Sequence, residues 1–300
     1  MSQAQQQIQW KQVTNLPKGL NLPQAMSIDI LGIQLGDTYP EVKSKLEKLA
    51  AEYAPPTKAS EPPAASASAP TSPDFQAQVL NMQRAMELRQ LDQMSGANSA
   101  PPITERTTII RYQVPSGVIT AEFVGEITLR RELPNGNAKI DETVTVRLSA
   151  PSSGGQVYAV RRSLSYGNGD QTGIAQFLQA LKDKMGGAQA QQIGSTGDVY
   201  RYQFDGGRLV APNPPTPDGQ CSVESNPDTR STARSINASG LCDVSLVARF
   251  GFGVSRQHAK FVNFYLSDQE RAKANKETDY AFMESYVRGL LSQSGAAPKL

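Results

Sequence analysis

Between Thr104 and Leu148 apolar and polar residues alternate with period two, and no other feature restricts the fold as much. Ile110, Tyr112 and Val114 alternate with Arg111 and Gln113. Ile119, Ala121, Phe123, Ile127 and Leu129 alternate with Thr120, Glu122, Glu126, Thr128 and Arg130, and Val144, Val146 and Leu148 with Thr143, Thr145 and Arg147. Successive side chains of a strand point to opposite faces, so this pattern predicts antiparallel strands with one buried and one wet face. Asn135-Gly136 lies between the last two runs, and Asn-Gly suits a tight hairpin turn. A hairpin there sets Thr128 opposite Thr145 and Glu126 opposite Arg147 on the wet face. Each such pair stabilises its register by a few tenths to about 1 kcal/mol. Further strands are expected at residues 158–166, 199–204, 244–250 and 261–266.

Outside the Pro/Ala/Ser-rich region, three segments carry helical spacing instead. Residues 28–49 read as a strand, a Gly-Asp turn and a helix. Thr38-x-x-Glu41 has the form of a capping box, Pro40 falls in the first turn, and Val42, Leu46, Leu49 and Tyr53 form one apolar stripe. Residues 158–185 echo that order: a strand, Gly167-Asn-Gly-Asp170, then Ile174, Phe177, Leu178, Leu181 and Met185 at helical spacing, stopped by Gly186-Gly187. The two strand–turn–helix units are candidates for a pseudo-repeat, although identity between them is slight. The last helix opens on a second capping box, Ser267-Asp-Gln-Glu270, and runs through Phe282, Met283, Tyr286, Val287 and Leu290, with Asn275 as its weak point. Runs of strands with a few helices predict an α+β fold, an antiparallel sheet with amphipathic helices packed on one face.

Composition divides the chain further. Residues 1–25 are Gln-rich and read as a flexible or loosely docked arm, and 26–53 form the strand–helix module. Residues 54–103 are a Pro/Ala/Ser-rich tether that cannot build a core. The tether carries an amphipathic helix at 74–94, where Phe75, Val79, Met82 and Met86 form a stripe. A Met-bearing face adapts to varied surfaces, so this helix is a candidate partner-binding element, with docking on its own domain as the alternative. Residues 104–293 form the main antiparallel domain, and 294–300 a disordered tail.

The chemistry a chain of this kind can perform is restricted. A formal net charge of +2 without a dense basic run excludes nucleic acid as the expected partner. No apolar run approaches the length needed to span a bilayer. His258 is the only histidine. A Ser255–His258 pair would need an orienting acid and an oxyanion hole, and neither has a signature, so an atypical hydrolase is the weakest reading. No metal-ligand spacing and no glycine fingerprint of a nucleotide site is present, so no metal or cofactor is expected. Arg161-Arg162 places one arginine on the side of Tyr158, Val160, Leu164 and Tyr166. Arg162 and Tyr166 are therefore candidates for contacting a partner, against a plain strand-edge arginine with its head in water. Cys221 and Cys242, the only cysteines, bracket a Ser/Asn/Asp/Thr-rich loop. A disulfide between them would hold that loop with on the order of 3 kcal/mol and favour an oxidising compartment; two free thiols are the alternative.

The segment Leu31-Gly-Ile-Gln-Leu-Gly-Asp-Thr-Tyr-Pro-Glu-Val-Lys-Ser-Lys-Leu46 resembles the opening helix motif of the beta-lactamase-inhibitor-protein-like and small outer-membrane assembly lipoprotein families. The arginine-bearing strand, Lys182-Asp-Lys-Met-Gly186 and the late cysteine pair are also similar to uncharacterised secreted proteobacterial proteins. This resemblance implies a periplasmic or secreted binding scaffold whose signal peptide has been removed, and it assigns no functional residue. A native start at Met1 implies a cytoplasmic protein instead. The expected function is thus a non-enzymatic module that binds a protein partner, with a structural subunit of a secretion apparatus or virion as the alternative. The oligomeric state is left open.

Overall fold

A computed structural model describes residues 8, 10–18, 20, 22, 28–52, 102–114, 117–135, 138–167, 172–193, 198–211, 243–253 and 255–293. One unit joins Met1–Tyr53 to Ile103–Leu300, so the 26–53 module belongs with the sheet; the other, Ala54–Pro102, lies outside the described residues except for Pro102. The elements in chain order are β1 (Asp29–Ile30), β2 (Ile33–Gln34), α1 (Tyr39–Glu52), β3 (Ile103–Val114), β4 (Gly117–Asn135), β5 (Ala138–Leu148), a short 3-10 turn (Pro151–Ser153), β6 (Val157–Tyr166), α2 (Ile174–Lys184), β7 (Gln191–Ile193), β8 (Val199–Asp205), β9 (Arg208–Val210), β10 (Val244–Phe252), β11 (Ala259–Asp268) and α3 (Gln269–Gln293). The class is α+β, as the alternation predicts. Among the described residues no helix is long and apolar enough to cross a membrane.

Nine strands form one antiparallel sheet in the order β3-β4-β5-β6-β11-β10-β8-β7, with β9 also on β8. The β4–β5 register pairs Glu126 with Arg147 and Thr128 with Thr145, as expected of a hairpin around Asn135-Gly136, with Asn135 itself in the strand opposite Ala138. One face of the sheet is the core. Ile127, Leu129, Val144, Val146, Val160, Leu266, Leu246 and Phe250 are all buried there. Val42 and Leu46 of α1, Leu181 of α2 and Ile28, Ile30, Ile33 and Leu35 of the β1–β2 hairpin cover it. Each aliphatic side chain removed fully from water contributes about 1.5–3 kcal/mol, so this layer dominates the stability.

Several expectations need correction in detail. Residues 28–35 are not one strand but a two-residue hairpin turning at Leu31 and Gly32, both at positive φ. Since β1–β2 stands outside the nine-stranded sheet and β6 lies in its middle, the two strand–turn–helix units do not repeat in topology. At the first capping box the Glu41 carboxylate accepts from the Thr38 backbone N–H at 2.8 Å, while the Thr38 hydroxyl donates to the same carboxylate at 2.9 Å. At the second, the cap is Asp268, which accepts from the Arg271 N–H at 2.8 Å. Ser267 is still in β11, and its hydroxyl lies 3.2 Å from that of Ser245 on β10. The α3 helix passes Asn275 without a break. Gly186 and Gly187 do end α2, at φ 63° and 91°.

Gly125 explains why α3 is not on the core face with the other helices. Arg106 pairs with Glu126 but Thr107 with Val124, so Gly125 is the extra residue of a bulge. A bulge shifts the face on which later side chains fall. Ile119, Ala121 and Phe123 therefore point to the opposite side from Ile127 and Leu129. There they pack with Ile110, Tyr112, Met283 and Tyr286. Ile8 and Trp10 of the N-terminal arm dock on this second cluster: Trp10 stacks on Phe282 (5.5 Å) and meets Phe123 edge-on (5.9 Å), and its Nε1–H donates to the Glu122 carbonyl at 3.0 Å.

Candidate functional site

The strand registers arrange the non-core face of the sheet into rows. Reading across β4, β5, β6, β11, β10 and β8, the first row is Glu126, Arg147, Ala159, Ser267, Ser245 and Gln203. The second is Thr128, Thr145, Arg161, Tyr265, Val247 and Arg201, and the third Arg130, Thr143, Ser163, Asn263, Arg249 and Val199. Alternation makes this inevitable: each residue is one step from a core side chain on its own strand. A cavity of about 470 Å³ lies over the centre of these rows, lined by Glu126, Thr145, Arg147, Ala159, Arg161, Arg249, Tyr265 and Ser267, with the backbone of Val160 and Leu266 beneath.

Its electrostatics are set by three guanidinium groups and one carboxylate. Arg147 Nε is 3.5 Å from Glu126 Oε2, a cross-strand pair with both side chains 22% exposed. Arg161 is exposed, and its partners among the described residues are all neutral. Its guanidinium lies 5.0 Å from the centroid of the Tyr265 ring, and its Nε–H donates to Ser163 Oγ at 3.2 Å. Asn263 Oδ1, itself accepting from the Ser163 hydroxyl at 2.7 Å, is 3.5 Å from Arg161 Nη2. A guanidinium held over an aromatic face and by two neutral acceptors keeps its charge while its position is fixed. Arg249 stands two strands away, across β11. Hydroxyls of Thr145, Ser267 and Tyr265 complete the lining. These groups can bind, orient and hydrogen-bond a polar ligand.

The two candidate contact residues are placed elsewhere. Arg162 is on the core face, in a central strand rather than at an edge, with Nε donating to Glu142 Oε1 at 2.6 Å. Glu142 is fully buried and also accepts from Arg131, which donates to the Leu49 carbonyl at the end of α1 at 2.5 Å. Arg162 thus neutralises a buried acid and helps hold α1. Tyr166 is only 4% exposed and packs edge-on against Phe177 at 6.5 Å, so it is a core residue. Of the adjacent arginines, Arg161 is the one that faces the cavity. The proposed Cys221–Cys242 disulfide and the helical stripe of Phe75, Val79, Met82 and Met86 lie outside the described residues. Ser255 Oγ is 2.8 Å from His258 Nδ1 within one turn between β10 and β11, and no acid is hydrogen-bonded to that histidine among the described residues.

Glu126 and Arg147 were legible as a wet-face pair; Arg161, Arg249 and Tyr265 were not identified as a group. Residues 244–250 and 261–266 are expected only as strands, and nothing in the chain order says that β11 separates β6 from β10. Among the described residues no three His, Cys, Asp or Glu side chains are placed to hold a metal ion. Comparison with family models, with curated proteins and with solved structures gives no match to this chain.

Proposed function

We propose that this chain is a non-enzymatic binding module that engages a protein partner through the non-core face of its sheet, and that it works in the cell envelope or as a secreted scaffold. The observation that carries the reading is the asymmetry of the sheet. Its core face is closed by α1, α2 and the β1–β2 hairpin, whereas the centre of the other face holds a polar cavity with Arg161 exposed beside Tyr265. Polar rows flanked by an aromatic and several arginines have the composition of a partner-binding surface, in which Arg and Tyr are the residues that anchor. The envelope location rests on the resemblance of residues 31–46 and on the cysteine pair.

Affinity capture from native membrane and periplasmic extract tests the proposal with three baits: the wild-type chain, an Arg161→Glu/Tyr265→Ala variant, and a deletion of residues 74–95. A partner retained by the wild type and the deletion but lost with the double variant supports binding through the sheet face. A partner lost only with the deletion transfers the function to the tethered segment. No partner with any bait contradicts the proposal.

A further inference from the structure

We infer that β3 is a docking edge for a second copy of this chain: two β3 strands pair antiparallel about a two-fold axis at Thr108 and join their sheets into one. This edge is separate from the cavity, and the inference goes beyond the proposed function.

The two edges of the sheet are built differently. One ends in β7 and β9, strands of three residues each. The other is β3, twelve residues long, which pairs with β4 on one side and, among the described residues, with no strand on the other. In an antiparallel ladder every second residue of a strand directs its N–H and C=O away from the neighbour, so β3 carries a row of outward donors and acceptors. Short strands, proline, lysine and bulged residues are the usual means of blocking such a row. Shortness protects β7 and β9. None of these devices is present in β3. It contains no Pro, Gly or Lys and is mostly β-branched or aromatic, and the extra residue of its bulge with β4, Gly125, belongs to β4. Thr104 to Thr107 and Arg111 are exposed along it.

Charge selects the occupant. With Thr108 on the axis, Glu105 stands opposite Arg111 of the second copy, and symmetry repeats the pair at the other end. Thr104 then meets Tyr112, Arg106 meets Ile110 and Thr107 meets Ile109, and no like charges face each other. The members of each pair are an even number of residues apart in sequence, so they lie on the same face. Moving the axis by one residue in either direction removes both ion pairs. Arg111 makes no ion pair among the described residues. Glu105 Oε1 accepts from the Tyr39 hydroxyl at 2.8 Å and lies 3.0 Å from Lys43 Nζ. A carboxylate has two oxygens, so these contacts leave acceptor capacity for a further donor.

The test is sedimentation of the full-length protein over a concentration series, together with amide exchange in β3. The wild type should show a monomer–dimer equilibrium, with exchange at alternate residues of β3 faster on dilution. Arg111→Glu and Glu105→Arg each set like charges opposite one another at both ends, and each should weaken the dimer about tenfold or more. An equimolar mixture of the two variants restores opposite charges at both ends and should dimerise again. A wild type that stays monomeric, a dimer indifferent to Arg111→Glu, or a mixture no better than its components would overturn the inference. If Glu105→Arg does not fold, Arg111→Glu, at an exposed side chain, still decides: a dimer of wild-type strength, or β3 exchange independent of concentration, counts against self-pairing. Protection of β3 only by a captured partner, with the chain alone monomeric, assigns the edge to that partner and also overturns it.

Discussion

Arg271 and Asp268 face each other across the first turn of α3 with both side chains fully buried, the guanidinium Nε 3.2 Å from the carboxylate Oδ2. The same guanidinium donates to the Pro17 carbonyl at 2.6 Å, Gln156 Oε1 at 3.3 Å and the Leu16 carbonyl at 3.4 Å, and rests against Gly36, where a Cβ would come within 3.1 Å of it. One side chain thus ties the N-terminal arm, the α1 entry and the helix start together. Removing one member of a buried ion pair costs about 3–5 kcal/mol because the other charge is left uncompensated. Arg271→Met should lower the urea midpoint by a corresponding amount. It should also speed amide exchange at Val13 and Leu16, whose N–H groups bond to the Ser152 carbonyl and to Gln156 Oε1. Unchanged arm protection would show that the arm does not depend on this contact.

The same pair makes stability depend on pH. Burial pushes the Asp268 carboxyl up to about 6 from 3.8, against the opposing pull of the Arg271 N–H and guanidinium. An acid whose folded pKa is raised stabilises the fold fully below its unfolded pKa and loses that contribution as pH rises through the folded value. The burial of Asp279 acts in the same direction. Glu41, held down to about 2 first by the Lys18 ammonium and then by the Thr38 N–H, acts oppositely: its contribution is present above pH 4.5 and lost as pH falls through about 2. Between pH 6 and 4 the wild type should therefore gain stability relative to Asp268→Asn, by at most about 3 kcal/mol. Paired denaturant titrations across that interval check it; a constant difference would contradict the assignment.

Gly125 should tolerate no side chain. A Cβ there would stand 2.0 Å from Thr108 Oγ1 and 2.7 Å from Thr108 Cβ, and the second atom is fixed by the β3 backbone. Gly125→Ala should cost about 1–3 kcal/mol through overpacking. Thr108→Ala should not rescue it, since the clashing Cβ remains, whereas Thr108→Gly should recover part of the loss. Thermal melts of the four proteins separate these outcomes.

Gly125 also marks where the sequence could be read and where it could not. A hairpin around Asn135-Gly136 and local alternation are enough to set Glu126 opposite Arg147 and Thr128 opposite Thr145, because hairpin pairing is decided by neighbours in the chain. The alternation from Ile119 to Leu129 looked continuous, yet one inserted glycine reverses the face, and nothing local distinguishes a bulge from a plain wet-face glycine. The cap of α3 falls one residue later than Ser267, on Asp268, whose carboxylate accepts from the Arg271 N–H while the Ser267 hydroxyl turns to Ser245. Arg162 was correctly placed on the apolar side. Its partner Glu142 lies twenty residues earlier, between Asp141 and Thr143, and its burial becomes visible only when β4, β5 and β6 lie side by side. The cavity depends on the order β6-β11-β10, a non-local fact that alternation cannot supply.

Trp10 is the only tryptophan, so fluorescence reports on the arm alone. Its stacking with Phe282 and Phe123 predicts blue-shifted emission in the native protein. Phe282→Ala should move that emission to the red and cost about 0.5–1.5 kcal/mol beyond the lost area, the usual worth of an aromatic pair. An unshifted spectrum would mean that the arm is held by Arg271 and the Ser152 carbonyl without the aromatic cluster.

The most direct test of binding through the non-core face is hydroxyl-radical footprinting of the chain alone and in complex with its captured partner. Tyr265 lines the cavity and Phe261, 41% exposed, extends the same face, while Leu209 on β9, 46% exposed, serves as a remote reporter. The account predicts that the partner slows oxidation of Tyr265 and Phe261 and leaves Leu209 unchanged. Unprotected Tyr265 and Phe261 in a complex that protects other residues would contradict it.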